Sequence, residues 1–138
     1  MHAGSQCHQQ RSFAQAIACF IKALKTSESL VTKSNSHPLN GIEMAYSASH
    51  NLAACYNSCG KGMAGKQVLQ RLHEQLMAIT QHAQYSRGLR LNALAFLDKS
   101  LFSLASQLAY MNQVDSIHTI ISDTEAIARE AEVSLHIA

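Results

Sequence analysis

Ionised side chains are scarce in this chain: Asp, Glu, Lys and Arg make up 14% of its 138 residues, against about 25% in an ordinary soluble domain. Proline occurs once, glycine six times, tryptophan not at all, and aromatics reach only 6%. So little proline and glycine leaves few turn signals, which disfavours a many-stranded sheet and favours long helices. Scarce charge also argues against a polybasic nucleic-acid face. Residues 1–99 hold ten Lys/Arg against four Asp/Glu, or +6, and residues 100–138 hold one Arg against five acids, or −4. The positive charges are dispersed along the chain, not gathered in a patch. This end-to-end asymmetry is either chance in a lightly charged chain or a field that orients a partner. No charged-then-apolar leader opens the chain, and the apolar stretch Leu89 to Met111 is broken by Asp98-Lys99. The expectation is therefore no signal peptide, no membrane span and a cytoplasmic location.

Catalytic signatures are also missing. There is no Gly-rich phosphate loop, no His-Glu-x-x-His, no Cys-x-x-Cys and no acid pair in an obvious pocket. The expectation is a chain that is not an enzyme and holds no cofactor and no metal. Eight histidines are scattered over different predicted helices and read as mostly surface residues. Of the four cysteines, Cys7, Cys19, Cys55 and Cys59, the last two share a helix face at a spacing that can supply two metal ligands. No further Cys or His clearly joins them, so small buried hydrophobes with reduced thiols are the favoured reading.

What is present is apolar content of 47%, enough for one domain that buries roughly 68% of its extended surface. Residues 1–138 read as a single all-α domain of about five to six helices, in units at about 1–31, 39–83 and 86–132. The organising stretch is Asn51 to Gly60, where Leu52, a small Ala53, Tyr56 one turn on and a chain-stopping Gly60 suit close helix packing. Met1 to Gln10 reads as the end of a helix, Phe13 to Ser29 as an amphipathic one, and Thr32 to Pro38 as a polar connection. The next helix should begin at Pro38, end near Ser58 and bury Met44, Ala48, Leu52, Cys55, Tyr56 and Cys59. Met63 to His82 carries a stripe of Val68, Leu69, Leu72, Leu76 and Ile79, and Gly62 and Gly65 read as points of close backbone approach. Ser86 to Met111 should be central and buried, Asn112-Gln113 a turn, and Val114 to Glu132 the last helix. Val133 to Ala138 should fray.

These spacings resemble the tetratricopeptide repeat, a helix–turn–helix unit that stacks into a solenoid. Ala3-Gly4, Cys7, Phe13, Ala16, Phe20, Ala23 and Leu24 fall at its signature positions in a first, truncated unit. Leu52-Ala53, Tyr56 and Gly60 do so in a second, and Leu104-Ala105, Leu108, Asn112, Val114, Ile117 and Ile121 in a bulkier third. The extra segments near residues 31–45 and 80–97 are similar to the long-helix repeats of kinesin light chains. The resemblance implies antiparallel helix pairs stacked as a short right-handed solenoid. It also implies a concave groove for a peptide or partner protein, lined by His8, Gln9, His50, Asn51, Asn57, Phe102, Ser106 and Tyr110. Asn51 stands where some members clamp a terminal carboxylate, but Ala54 and Ser58 occupy places where basic residues would be wanted. A neutral groove binding through hydrogen bonds and one or two aromatic anchors fits better.

Two functional readings follow: a non-catalytic protein-binding module, and a self-associating scaffold or homodimer joined through Phe13, Ile17 and Phe20. Neither nucleic acid nor a membrane is expected as a partner.

Overall fold

The computed structural model describes residues 14–19, 21, 22, 25 and 38–135. The regular structure among them is all helical: part of a first helix α1 (14–19, 21, 22 and 25), then α2 (Pro38–Ser58), α3 (Gly62–Gln81), α4 (Arg87–Tyr110) and α5 (Asp115–Ser134). The polar connection expected before Pro38 lies outside the described residues. So do Cys7, His8, Gln9 and most of the first unit. No helix among the described residues is long and apolar enough to cross a membrane.

Local chemistry sets the helix ends. Ser86 caps α4, its Oγ accepting from the Leu89 N–H at 3.2 Å and so satisfying one of the four donors a helix start leaves free. α2 and α4 stop in the same way. Gly60 (φ 73°) and Asn112 (φ 58°) both take the left-handed conformation. The next residue's N–H then reaches back, Lys61 to the Tyr56 carbonyl and Gln113 to the Leu108 carbonyl, each at 2.8 Å. Together with the Gly60-to-Asn57 and Asn112-to-Ala109 bonds, this is the paired closure of a Schellman stop. Glycine takes that conformation without a Cβ clash, and asparagine tolerates it better than most.

α3 and α5 lack a basic residue in their last turns, and α4 supplies the missing donors. Arg90 Nε donates to the Thr80 carbonyl at 3.0 Å, and Arg87 Nη2 to the Leu135 carbonyl at 2.9 Å. Arginine there satisfies late carbonyls and opposes the negative helix end. This corrects the expected fraying at Val133 to Leu135: α5 runs to Ser134 and Leu135 is buried, while the rest of that stretch, 136–138, lies outside the described residues.

Packing joins each of α2 to α5 to the next and to the one after. α3 lies against α2 and α4, and α5 against α4 and α3. α2 also meets α4, while α2 and α5 do not touch. Ile42 and Ala45 from the start of α2 cluster with Leu76 and Ile79 from the end of α3 and Leu89, Ala93 and Leu97 from the start of α4. Ala53, Leu69, Leu104 and Leu108, with Ile117 and Ile120 against them, form a second cluster toward the opposite ends. Consecutive helices are therefore antiparallel. Between the two clusters, Ser49, His73, Ser100 and Thr124 each fall midway along their helix, and none is more than 2% exposed.

The expected α2 stripe needs correction. Met44 is 39% exposed, and Cys55, Tyr56 and Cys59 are only half-buried. α2 has apolar residues nearly all round, so helical spacing did not single out the face carrying Ile42, Ala45 and Ala53. Leu52 and Tyr56 border Ile21 and Lys25 of α1 across a cavity of about 400 Å³. Of the apolar residues expected to drive self-association, Ile17 is half-buried, while Phe13 and Phe20 lie outside the described residues.

Replacing the α4 cap, Ser86→Ala, should lower the unfolding free energy by about 1 kcal/mol, read as a shifted midpoint in urea at constant slope. An unchanged midpoint would mean that the cap does not stabilise the helix.

Candidate functional site

Where α2, α3 and α4 meet, the backbones come close. A Cβ built on Gly65 would stand 3.2 Å from the Ala53 carbonyl oxygen, 3.0 Å from Asn57 Oδ1 and 3.2 Å from Gln107 Nε2. Gly65 is thus the point of close approach expected of it. Gly62 is not crowded in this way: its nearest neighbour, Met111 Cγ, would lie at an ordinary 3.7 Å. Its role lies in its carbonyl, which accepts from Gln107 Nε2 at 3.0 Å.

Gln107 and Asn57 face each other as a reciprocal amide pair. Asn57 Nδ2 donates to Gln107 Oε1 at 2.8 Å, and Gln107 Nε2 donates to Asn57 Oδ1 at 2.9 Å. Gln107 is buried, and its polar atoms are satisfied by α2 and the first residue of α3, so the pair ties three helices at one point. Sequence reasoning found Asn57 but missed Gln107. The available signal was a glutamine flanked by Leu104 and Leu108 on a helix expected to be buried.

Above this pair lies a cavity of about 400 Å³ between α2 and α4. His50 and Asn57 from α2 and Phe102, Ser106 and Tyr110 from α4 all line it, with Tyr46, Ala54 and Leu69. Five of the eight groove residues read from the sequence are therefore brought together. Asn51 is exposed on α2 but does not line the cavity, and His8 and Gln9 are outside the described residues. Phe102 is 75% exposed and Tyr110 65%. Tyr46 stacks on His50 with ring centroids 6.0 Å apart and tilts against Phe96 at 5.5 Å, and Lys99 Nζ sits 4.8 Å over the Phe96 ring. Among the described residues, no Asp, Glu, Lys or Arg lines the cavity.

A second constellation was not foreseen. His73 is buried, with Nδ1 2.9 Å from Ser100 Oγ on α4 and Nε2 2.8 Å from Thr124 Oγ1 on α5. Burial lowers its pKa from the ordinary 6.5, and the neighbouring Glu74 carboxylate acts the other way. A neutral ring has one donor and one acceptor nitrogen, so one hydroxyl accepts from the ring and the other donates to it. The Ser–His pairing has the form of a nucleophile and its base. Ser100 itself is almost wholly buried, at 1% exposure. The histidines His50, His82 and His118 are exposed as expected, and His73 is the correction. Burial, followed by the neighbouring Cys59, raises the Cys55 pKa, which keeps that thiol protonated and poorly nucleophilic. Among the described residues no three His, Cys, Asp or Glu side chains gather as metal ligands do.

The crowding at Gly65 has a measurable consequence. Gly65→Ala gains helix propensity of up to about 1 kcal/mol, but its methyl group meets a fixed backbone carbonyl and the locked amide pair. We expect net destabilisation of about 1–3 kcal/mol, with the Asn57 and Gln107 side-chain amide resonances displaced. Unchanged or raised stability in urea would show that the contact has slack.

No curated protein and no solved structure matches this chain. A family match does extend from the first residues to the last helix and so takes in both the amide-floored groove and the His73 constellation. By that match over residues 1–136, the chain belongs to the family described as "Protein of unknown function (DUF2753)".

Proposed function

We propose that this chain is a non-catalytic protein-binding module, a short right-handed stack of helix pairs resembling tetratricopeptide repeats. Its groove between α2 and α4 holds a neutral peptide segment of a partner protein. Several features support the repeat reading. Among α2 to α5, each helix packs on the next and on the next but one, while α2 and α5 make no close backbone approach. The first helix of each described pair ends in the same left-handed stop, at Gly60 and at Asn112.

The uncharged lining of the groove carries the functional reading. A charged ligand entering it would be stripped of water without a counter-charge to repay the loss. The amides on its floor are already committed to one another. Affinity must therefore come chiefly from Phe102 and Tyr110, which lie two helical turns apart on α4 and remain largely open to solvent. Exposed aromatics are the side chains that most often act as binding anchors. A neutral segment with apolar side chains spaced to meet both rings, and backbone groups in reach of Ser106 and His50, fits this chemistry. Self-association is the second reading, with the same two aromatics buried by another copy of the chain.

Selection of short random peptides on the immobilised chain, with affinities then measured by fluorescence polarisation, tests the reading. Selected peptides should be uncharged and rich in aliphatic or aromatic residues. Phe102→Ala or Tyr110→Ala should weaken them by about thirtyfold, the scale of a 2 kcal/mol hot spot. Val133→Ala, equally exposed but on α5, should leave affinity unchanged. Acidic or basic winners, or binding indifferent to Phe102 and Tyr110, would refute the groove assignment. A dimer on sizing that Phe102→Ala dissociates would favour self-association instead.

A further inference from the structure

α5 is the least deeply seated of the four fully described helices. Over its twenty residues only Thr124 and Ala131 are buried, whereas α3 and α4 bury a residue on nearly every turn. Its middle is held by the Thr124 hydroxyl on His73 Nε2, while Nδ1 of the same ring is taken by Ser100. We propose that α5 is an acid-released helix, docked only while His73 is neutral.

The hydrogen-bond inventory supplies the mechanism. Protonation turns both ring nitrogens into donors, so the hydroxyl that had been donating to the ring must turn its proton elsewhere. The new charge also lies at a level where Ser100 and Thr124 are almost wholly shielded from water. The charged and titratable groups beside the ring are Lys66 and Glu74 on α3 and Asp123 on α5, which line a cavity of about 260 Å³ with it. α4 contributes only Leu104 and Leu108 there. Glu74 favours the charged ring, but burial is the larger influence and opposes it. No carboxylate is hydrogen-bonded to either nitrogen, and both hydroxyl partners are neutral. Undocking returns the ring to water, where it takes up a proton freely.

Linkage sets the sign. The docked pKa lies below the ordinary 6.5, so the docking contribution is complete above that value and declines as pH falls toward the docked pKa. Within that window the α5 opening constant should rise as pH falls, with a slope of at most about tenfold per pH unit for the one proton taken up. Once undocked, a twenty-residue segment holds little helix by itself, so its amides exchange.

Hydrogen exchange of the full chain from about pH 7.5 to about pH 5, above the carboxylate range, tests this. Protection factors, corrected for intrinsic rates, should fall over Ile117–Ala131 with the slope stated, while those of α2 and α3 hold. His118→Gln, which removes the exposed histidine on the same helix, should keep the slope, and His73→Gln should abolish it. A flat wild-type profile, a slope that survives in His73→Gln, or simultaneous loss across α2 and α3 would overturn the proposal. Should His73→Gln not fold, ¹⁵N imidazole signals of the wild type decide instead. A ring that stays neutral below 6.5 and charges together with loss of α5 protection supports release. A ring that titrates at its ordinary value with α5 still protected refutes it.

Discussion

One imidazole, placed midway along α3, links the two helices packed on either side of it through its two ring nitrogens. His73 divides its two nitrogens between Ser100 on α4 and Thr124 on α5, and the apolar clusters form on either side of that level. A buried polar group with no partner costs far more than a satisfied one contributes. The ring therefore does more than add two hydrogen bonds: it requires α4 and α5 to present hydroxyls at one depth, and thereby sets how far each helix slides along α3. Ser49 of α2 shares the same level without the same solution. Its Oγ is fully buried and has no hydrogen-bond partner among the described residues.

The same rule shapes the groove. Gly65 lets the first turn of α3 press against α2, and the room left is filled by two amides that satisfy each other. A floor committed to internal hydrogen bonds leaves few free donors facing the cavity. On the walls, Phe102 and Tyr110 present largely exposed ring surface, while Tyr46 also packs against the apolar core. The exposed rings of Phe102 and Tyr110 thus stand apart from the atoms that hold the helices together.

Scarce charge is consistent with this economy. Among the described hydrogen bonds, Arg87 and Arg90 serve as donors to the carboxyl ends of α5 and α3, helices with no basic residue in their own last turns. Placed in the first turns of α4, the two arginines also join three helices at one end, as the amide pair does at the other. A few polar side chains at helix ends and crossings do the orienting, and small or apolar residues fill between them.

The helical class, the limits of α3 and α4 and the stops at Gly60 and Asn112 were legible from local chemistry alone. Periodicity and left-handed stop residues act within a few positions along the chain, so no partner helix is needed to read them. That His50, Asn57, Phe102, Ser106 and Tyr110 line one cavity follows from helical spacing, which puts each set on one side of its own helix. The buried face of α2, the committed role of Gln107, the capture of α5 by Arg87 and the burial of His73 were not readable. Each depends on which atoms a second or third helix brings within about 3 Å, and a histidine or glutamine carries the same letter whether it faces water or a hydroxyl on a neighbouring helix. Tertiary packing made that choice by burying these groups only where another helix could satisfy them.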